Sequence, residues 1–216
     1  MKFKDFACAG LLGIVLASPG HAATWTDWTS NSGATTAGSL SFGGTDVGVT
    51  VTGSVAPAFV QLSGGTDYYT GPNFDIDGAG IPTTDLIGLA APGTFTVSFS
   101  QTVSDIYFAL VSWNVAPATF SAPVDVVNVD CGYWGCGSAT ASGATVSFSG
   151  EAHGLLHLSG SFDSFSFTTT SYEGWHGFTV GAAELAPPAV PLPATGALLL
   201  GAVGALAGAR RRRRSA

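Results

Sequence analysis

Hydrophobic and polar residues alternate over short stretches in the middle of the chain, as they do in β-strands with one buried face. Residues 94–100 read TFTVSFS, which places Phe95, Val97 and Phe99 on one face and hydroxyl groups on the other. Similar stretches occur at residues 47–51, 104–113, 124–129, 144–148, 155–159, 161–168 and 177–180. Because long-chain helix formers are scarce here, the pattern predicts an all-β domain.

Residues 105–111 are hydrophobic on both faces of their predicted strand, which indicates a central strand covered on both sides. We therefore expect two packed antiparallel sheets, an antiparallel β-sandwich of the jelly-roll-like type. Residues 63–93 interrupt the alternation with repeated glycines and prolines, and they predict a long loop.

The first 22 residues have the layout of a signal peptide. Lys2 and Lys4 precede a hydrophobic run at residues 6–17, and small residues follow, with cleavage by signal peptidase expected after Ala22. The alternative is an N-terminal membrane anchor, but a run of about 12 residues is too short for ~30 Å of hydrocarbon.

The C-terminal end has three parts with different compositions. Residues 186–194 are rich in proline, residues 195–209 predict a single hydrophobic transmembrane helix, and residues 210–216 carry a run of arginines. These arginines are expected to stay on the cytoplasmic side and stop translocation, and they are Arg210, Arg211, Arg212, Arg213 and Arg214.

This tail resembles a known sorting signal. The motif before the helix consists of Val190, Pro191, Leu192, Pro193 and Ala194. Followed by a short Gly/Ala/Leu helix and an arginine cluster, it is similar to the VPLPA-type branch of the PEP-CTERM signals of Gram-negative bacteria. The resemblance implies processing by an exosortase at the inner membrane and delivery to the cell surface or the exopolysaccharide matrix.

A second sorting pattern overlaps the first. Residues 192–196 also satisfy the LPxTG pattern of Gram-positive sortases. The short spacer before Arg210 and the Val-Pro pair before Leu192 favour the exosortase. Both alternatives imply surface display.

The mature region carries no lysine or arginine between residues 23 and 189. One of the 14 acidic residues, Asp5, lies in the leader, so 13 remain and the domain at residues 23–185 has a formal charge of about −13. Such a domain cannot neutralise phosphates, which argues against nucleic-acid binding and phosphoryl transfer. The acidity favours solubility outside the cell; the alternative is affinity for divalent cations.

Two cysteines remain once Cys8 leaves with the leader. Cys131 and Cys136 enclose Gly-Tyr-Trp-Gly, and in an oxidising compartment they are expected to form a disulfide. A zinc site is the alternative, but this pair supplies only two ligands.

Aromatic residues in the same turn are candidates for ligand contact. Tyr133 and Trp134 lie between glycines on a short loop, where their rings can stack on sugars. The competing interpretation is that they pack onto the sheet, as large aromatic residues usually do. The remaining tryptophans are weaker candidates, and they are Trp25, Trp28, Trp113 and Trp175.

Oxygen ligands for calcium occur in the predicted loop. Asp75 and Asp77 are the candidate ligands, although the downstream glutamate of an EF-hand loop is missing. The alternative is that these aspartates form turns through local hydrogen bonds to the backbone and bind no metal. Calcium is the one cofactor that the sequence suggests.

No established catalytic motif is present, and we expect no enzymatic activity. His153 and His157 are too far apart on a strand to share a metal. His176 beside Glu173 is expected to lie on the sheet surface; the alternative is an acid/base pair. The sequence favours an exported structural or adhesive protein of a biofilm. The alternative is a surface module that binds polysaccharide or calcium.

Overall fold

The computed structural model describes residues 22–75, 82, 84–115 and 117–186. Several predicted features lie outside the described residues: the leader up to residue 21, Asp77, the motif at residues 190–194, the C-terminal helix and the arginines at residues 210–214. Within the described part of the chain, no helix is long and hydrophobic enough to span a membrane.

The described residues form an all-β structure, as predicted, with one short 3₁₀ helix at Pro72–Phe74. The strands are β1 (Thr24–Trp25), β2 (Asp27–Ser32), β3 (Thr35–Phe42), β4 (Thr45–Gly53), β5 (Phe59–Gln61), β6 (Leu86–Leu89), β7 (Gly93–Trp113), β8 (Ala118–Phe120), β9 (Asp125–Asp130), β10 (Gly137–Ser142), β11 (Thr145–Gly150), β12 (Ala152–Thr169) and β13 (His176–Leu185).

Two long strands, β7 and β12, organise the antiparallel network. They pair with each other along most of their length, and the register shifts between Leu158 and Ser161 and again between Phe162 and Ser164. On either side of these irregularities the two strands have different neighbours. The first half of β7 pairs with β4 and its second half with β13, while β12 begins beside β9 and ends beside β8.

Side chains from the two halves of the long strands meet in one hydrophobic core. Phe167, near the end of β12, has its ring centroid 5.1 Å from that of Phe108 in the second half of β7 and 5.1 Å from that of Phe178 in β13. Phe108 and Phe178 stack at 4.9 Å, and all three are fully buried. Each buried phenylalanine contributes about 1.5–3 kcal/mol to folding, so this contact ties the two halves together.

A second, smaller hydrophobic cluster covers the opposite face of β7. Ala109 and Val111 lie under Tyr69 and Phe74, which belong to the segment between β5 and β6. The prediction of a strand buried on both faces is therefore confirmed.

The expectation of one long loop at residues 63–93 was wrong for part of that range. Leu86–Leu89 forms β6, all of it buried, and β7 already begins at Gly93. The short LIGL sequence has no alternation because both of its faces are covered, so the polar half of the strand pattern is missing.

Candidate functional site: an aromatic pocket beside the disulfide turn

The turn at residues 131–136 presents two aromatic side chains to solvent. Cys131 and Cys136 are joined by a disulfide, as the sequence predicts. Inside it, the Gly132 N–H donates to the Gly135 carbonyl at 2.7 Å, which closes a tight turn with Tyr133 and Trp134 at its tip. The exposed fractions of these side chains are 46% and 56%.

The turn is fixed to the body of the protein at its base. Gly132 lies against the imidazole ring of buried His153, in the first residues of β12. The Asn73 amide donates to the Cys131 carbonyl at 2.6 Å and to the His153 carbonyl at 3.2 Å. Because Asn73 is itself buried, it joins the 3₁₀ segment, the turn and β12.

Four aromatic rings from three separate segments form a surface cluster. Tyr133 contacts Trp134 at a centroid distance of 4.9 Å and Tyr68 at 5.2 Å. Trp175, in the loop before β13, lies 5.4 Å from Tyr68 and 6.3 Å from Trp134. Each ring supports its neighbours, so the exposed faces have a defined arrangement.

Trp134 and Trp175 line a pocket of about 270 Å³ together with Ser112 and Glu151. The Ser112 hydroxyl donates to Oε2 of Glu151, and the Asn114 amide donates to Oε1 at 3.0 Å. Gly135 covers the stem of the same side chain, since a methyl group there would lie 3.3 Å from its Cβ and Cγ. The carboxylate is thus held beside the two indole rings.

Ser112 has a backbone conformation that side chains rarely adopt. Its φ angle is +61°, in the left-handed region that favours glycine. It lies where β7 meets the start of β12, next to a register shift between Ala152 and Gly154. Such strain persists where surrounding contacts enforce it and is frequent at binding sites.

Two of the remaining tryptophans belong to the core. Trp28 and Trp113 are fully buried, and both indole N–H groups donate hydrogen bonds: Trp28 to Thr179 Oγ1 at 3.0 Å and Trp113 to the Gly177 carbonyl at 2.8 Å. Trp25 packs against the smaller hydrophobic cluster. Of the four tryptophans that the sequence made weaker candidates, Trp175 lines the pocket. Tyr133 and Trp134 were the stronger candidates.

His176 and Glu173 are buried, which corrects the expectation that they lie on the sheet surface. The Glu173 carboxylate accepts the backbone N–H groups of Asn114 at 2.9 Å and Val115 at 3.4 Å, so it stabilises the turn that follows β7. Burial lowers the pKa of His176 to about 4. Nδ1 of His176 lies 3.8 Å from Oε2 of Glu173.

Two further histidines, both on β12, lie in different environments. His153 is fully buried, and burial lowers its pKa to about 4 even though nearby Glu151 acts in the opposite direction. His157 lies beside Tyr107, and its Nε2 is 3.5 Å from Asp105. Among the described residues, no three His, Cys, Asp or Glu side chains are grouped closely enough to hold a metal ion.

The candidate calcium loop is described only in part. Asp75 is exposed directly after the 3₁₀ helix, whereas Asp77 lies outside the described residues. Asp67 accepts the Tyr69 N–H at 2.9 Å, a local turn contact. Asp85 is buried and accepts the Trp28 N–H at 2.9 Å, and burial raises its pKa to about 6.

A second groove, of about 440 Å³, lies between Pro123–Val126 and the β10–β11 hairpin. None of the described residues that line it is aromatic, which makes the pocket beside the disulfide turn the stronger candidate site. Comparisons of the chain with protein-family models, curated proteins and solved structures returned no match.

Proposed function

We propose that the domain at residues 23–185 is a non-catalytic, polysaccharide-binding module of an exported surface protein. The observation that carries this proposal is the pocket lined by Trp134, Trp175 and the hydrogen-bonded Glu151. Indole faces cover the apolar C–H face of a sugar ring, and carboxylate oxygens accept its hydroxyl hydrogens.

The exposure of Trp134 supports binding over packing. A tryptophan that is 56% exposed leaves much of its hydrophobic surface in water, which is unfavourable unless a partner covers it. The disulfide and the contacts of Gly132 and Asn73 keep the ring in this position. A site that is already ordered loses little conformational entropy on binding.

We also propose that the two halves of the strand network form a β-sandwich. The packing of Phe167 on Phe108 and Phe178 supports this arrangement, since these side chains come from the two halves. We include in this proposal that the strands are connected in a jelly-roll-like order.

Export and sorting complete the proposed function. The leader at residues 1–22 supports removal by signal peptidase, and the VPLPA motif with its helix and arginines supports exosortase processing and release to the surface or matrix. A sortase acting on residues 192–196 is the alternative. The intact mass of the released protein distinguishes them, because each enzyme implies a different C-terminal residue.

A glycan array tests the binding function. The full-length protein is applied with and without EGTA, alongside Trp134→Ala and, as the matched control, Tyr172→Ala. Tyr172 is 70% exposed but does not line the pocket. We expect retention on at least one polysaccharide, a loss of at least about tenfold in affinity for Trp134→Ala, and no change for Tyr172→Ala.

Other outcomes favour the competing hypotheses. Retention that disappears with EGTA indicates calcium at the Asp75 loop. If no glycan is retained, the binding function is wrong, and a structural role through bulk acidity becomes the better account.

A further inference from the structure

We infer that the pocket lined by Trp134, Trp175 and Glu151 receives an ammonium group, so that its ligand is a polysaccharide with free amino sugars. This inference rests on the proposed polysaccharide-binding function and narrows it to one chemical class. It follows from the charge, the rings and the size of the pocket.

In the part of the chain that the structure describes, no cationic neighbour compensates the charge of Glu151. The donors that hold it, the Ser112 hydroxyl and the Asn114 amide, are both neutral. No lysine or arginine occurs between residues 23 and 189. His153, the nearby histidine, is neutral at pH 7 because burial lowers its pKa to about 4. The carboxylate is therefore available to pair with a cation from the ligand.

The indole rings in the pocket also favour an ammonium group. The face of an indole ring attracts cations through its quadrupole, and tryptophan does so more strongly than tyrosine or phenylalanine. Trp134 and Trp175 line the same pocket as Glu151. An ammonium group makes both kinds of contact, whereas a neutral sugar uses the rings and hydroxyl contacts, and an acidic sugar is repelled.

The size of the pocket limits what it recognises. The pocket has a volume of about 270 Å³ and opens to solvent. This space suits one sugar residue, and neighbouring residues of the polymer can lie along the exposed Tyr133 ring. The recognised cation is therefore on a single amino sugar.

The carboxylate is held in place before any ligand arrives. Ser112, in its strained conformation, donates to one oxygen, Asn114 donates to the other, and Gly135 packs on the stem. Ser112 and Asn114 together therefore fix the position of the Glu151 carboxylate in the pocket.

Calorimetry with three matched trisaccharides tests the inference on the full-length protein. The probes are the trimer of glucosamine, its fully N-acetylated form and the β-1,4-linked glucose trimer. We expect the glucosamine trimer to bind at least about tenfold more tightly than the other two. N-acetylation removes the positive charge from the ligand, so this comparison needs no protein variant.

Two substitutions distinguish binding in the pocket from attraction by the overall negative charge of the domain. Glu151→Gln keeps the shape and is expected to reduce affinity for the glucosamine trimer about tenfold, a larger loss than for either neutral trimer. Asp46→Asn removes the same charge at an exposed position in β4, away from the pocket, and is expected to change none of the three affinities.

Three results would overturn the inference. Equal or tighter binding of a neutral trimer contradicts it while leaving the proposed function intact. If Asp46→Asn and Glu151→Gln lose the same affinity for the glucosamine trimer, the preference for this trimer comes from the overall negative charge of the domain. If no trimer binds while the glycan array retains another polysaccharide, the ammonium pocket is wrong and the binding function stands; if the array is also blank, both are wrong.

Discussion

Gly132 lies directly against the imidazole ring of His153, with no room between them for a side chain. A methyl group on Gly132 would come within 2.6 Å of Nδ1 of that ring. His153 is fully buried, and neither ring nitrogen has a hydrogen-bond partner among the described residues. The contact therefore seats the disulfide turn, with Tyr133 and Trp134 at its tip, on the first residues of β12.

The substitution Gly132→Ala tests this seating. The added methyl group must displace either the turn or the His153 ring, and overpacking of this kind costs about 1–3 kcal/mol. We expect a lower midpoint of denaturant unfolding and weaker glycan binding. The control is Gly48→Ala, where a methyl group would make ordinary contact at 3.5 Å with Ser100 Oγ. If the two variants are equally stable, the turn is not held by this contact.

Removal of the disulfide is expected to weaken the site more than the fold. The bond closes a loop of sequence separation 5, and loop entropy predicts a loss of about 2 kcal/mol in the free energy of unfolding. The double substitution Cys131→Ser and Cys136→Ser should therefore leave the protein folded while the tip becomes less ordered. Urea unfolding and glycan affinity measure the two effects, and an unchanged affinity would show that the disulfide does not position the rings.

Acidification is expected to destabilise the protein between about pH 6.5 and pH 4. Burial lowers the pKa values of His153 and His176 to about 4, whereas unfolded histidine titrates near 6.5. In this window the unfolded state binds more protons, so stability falls as pH falls. Asp85 acts oppositely: its pKa is raised to about 6, and it adds stability as pH falls below that value. The stability lost through the two histidines exceeds the stability gained through Asp85.

Thermal unfolding across this pH range measures the effect. His176→Phe should flatten the profile, since phenylalanine cannot take up a proton and can keep the edge contact with Trp113, whose ring centroid is 4.5 Å from that of His176. A melting temperature that rises on acidification in the unsubstituted protein would contradict the burial of these histidines.

The alternation pattern located the strands that have one buried face. Two pairs of predicted stretches, residues 94–100 with 104–113 and residues 155–159 with 161–168, are joined in the structure as β7 and β12. The sequence suggested a break in each strand because the residues at the register shifts interrupt the alternation, whereas β7 and β12 each continue through them.

Several strands were missed for a different reason. β3 (TTAGSLSF) and β10 (GSATAS) consist mostly of small and hydroxyl residues, so their hydrophobic alternation is weak. Their pairing with β4 and β11 supplies the order that local sequence does not. Such strands become visible only when their partners are known.

The candidate site was predicted in part. Tyr133 and Trp134 stand out because glycines and cysteines enclose them. Tyr68, Glu151 and Trp175 carry no comparable signal, since the strand pairing of β7, β12 and β13 brings them together from distant positions. Ser112 is recognisable only from its backbone angle.

Indole signals in ¹H–¹⁵N NMR test the central claim most directly, because each of the five tryptophans contributes its own N–H resonance. On titration with a polysaccharide fragment retained on the array, we predict shifts at Trp134 and Trp175, which line the pocket, and none at Trp28 and Trp113, which are fully buried. Binding that leaves the Trp134 and Trp175 signals in place would contradict the account.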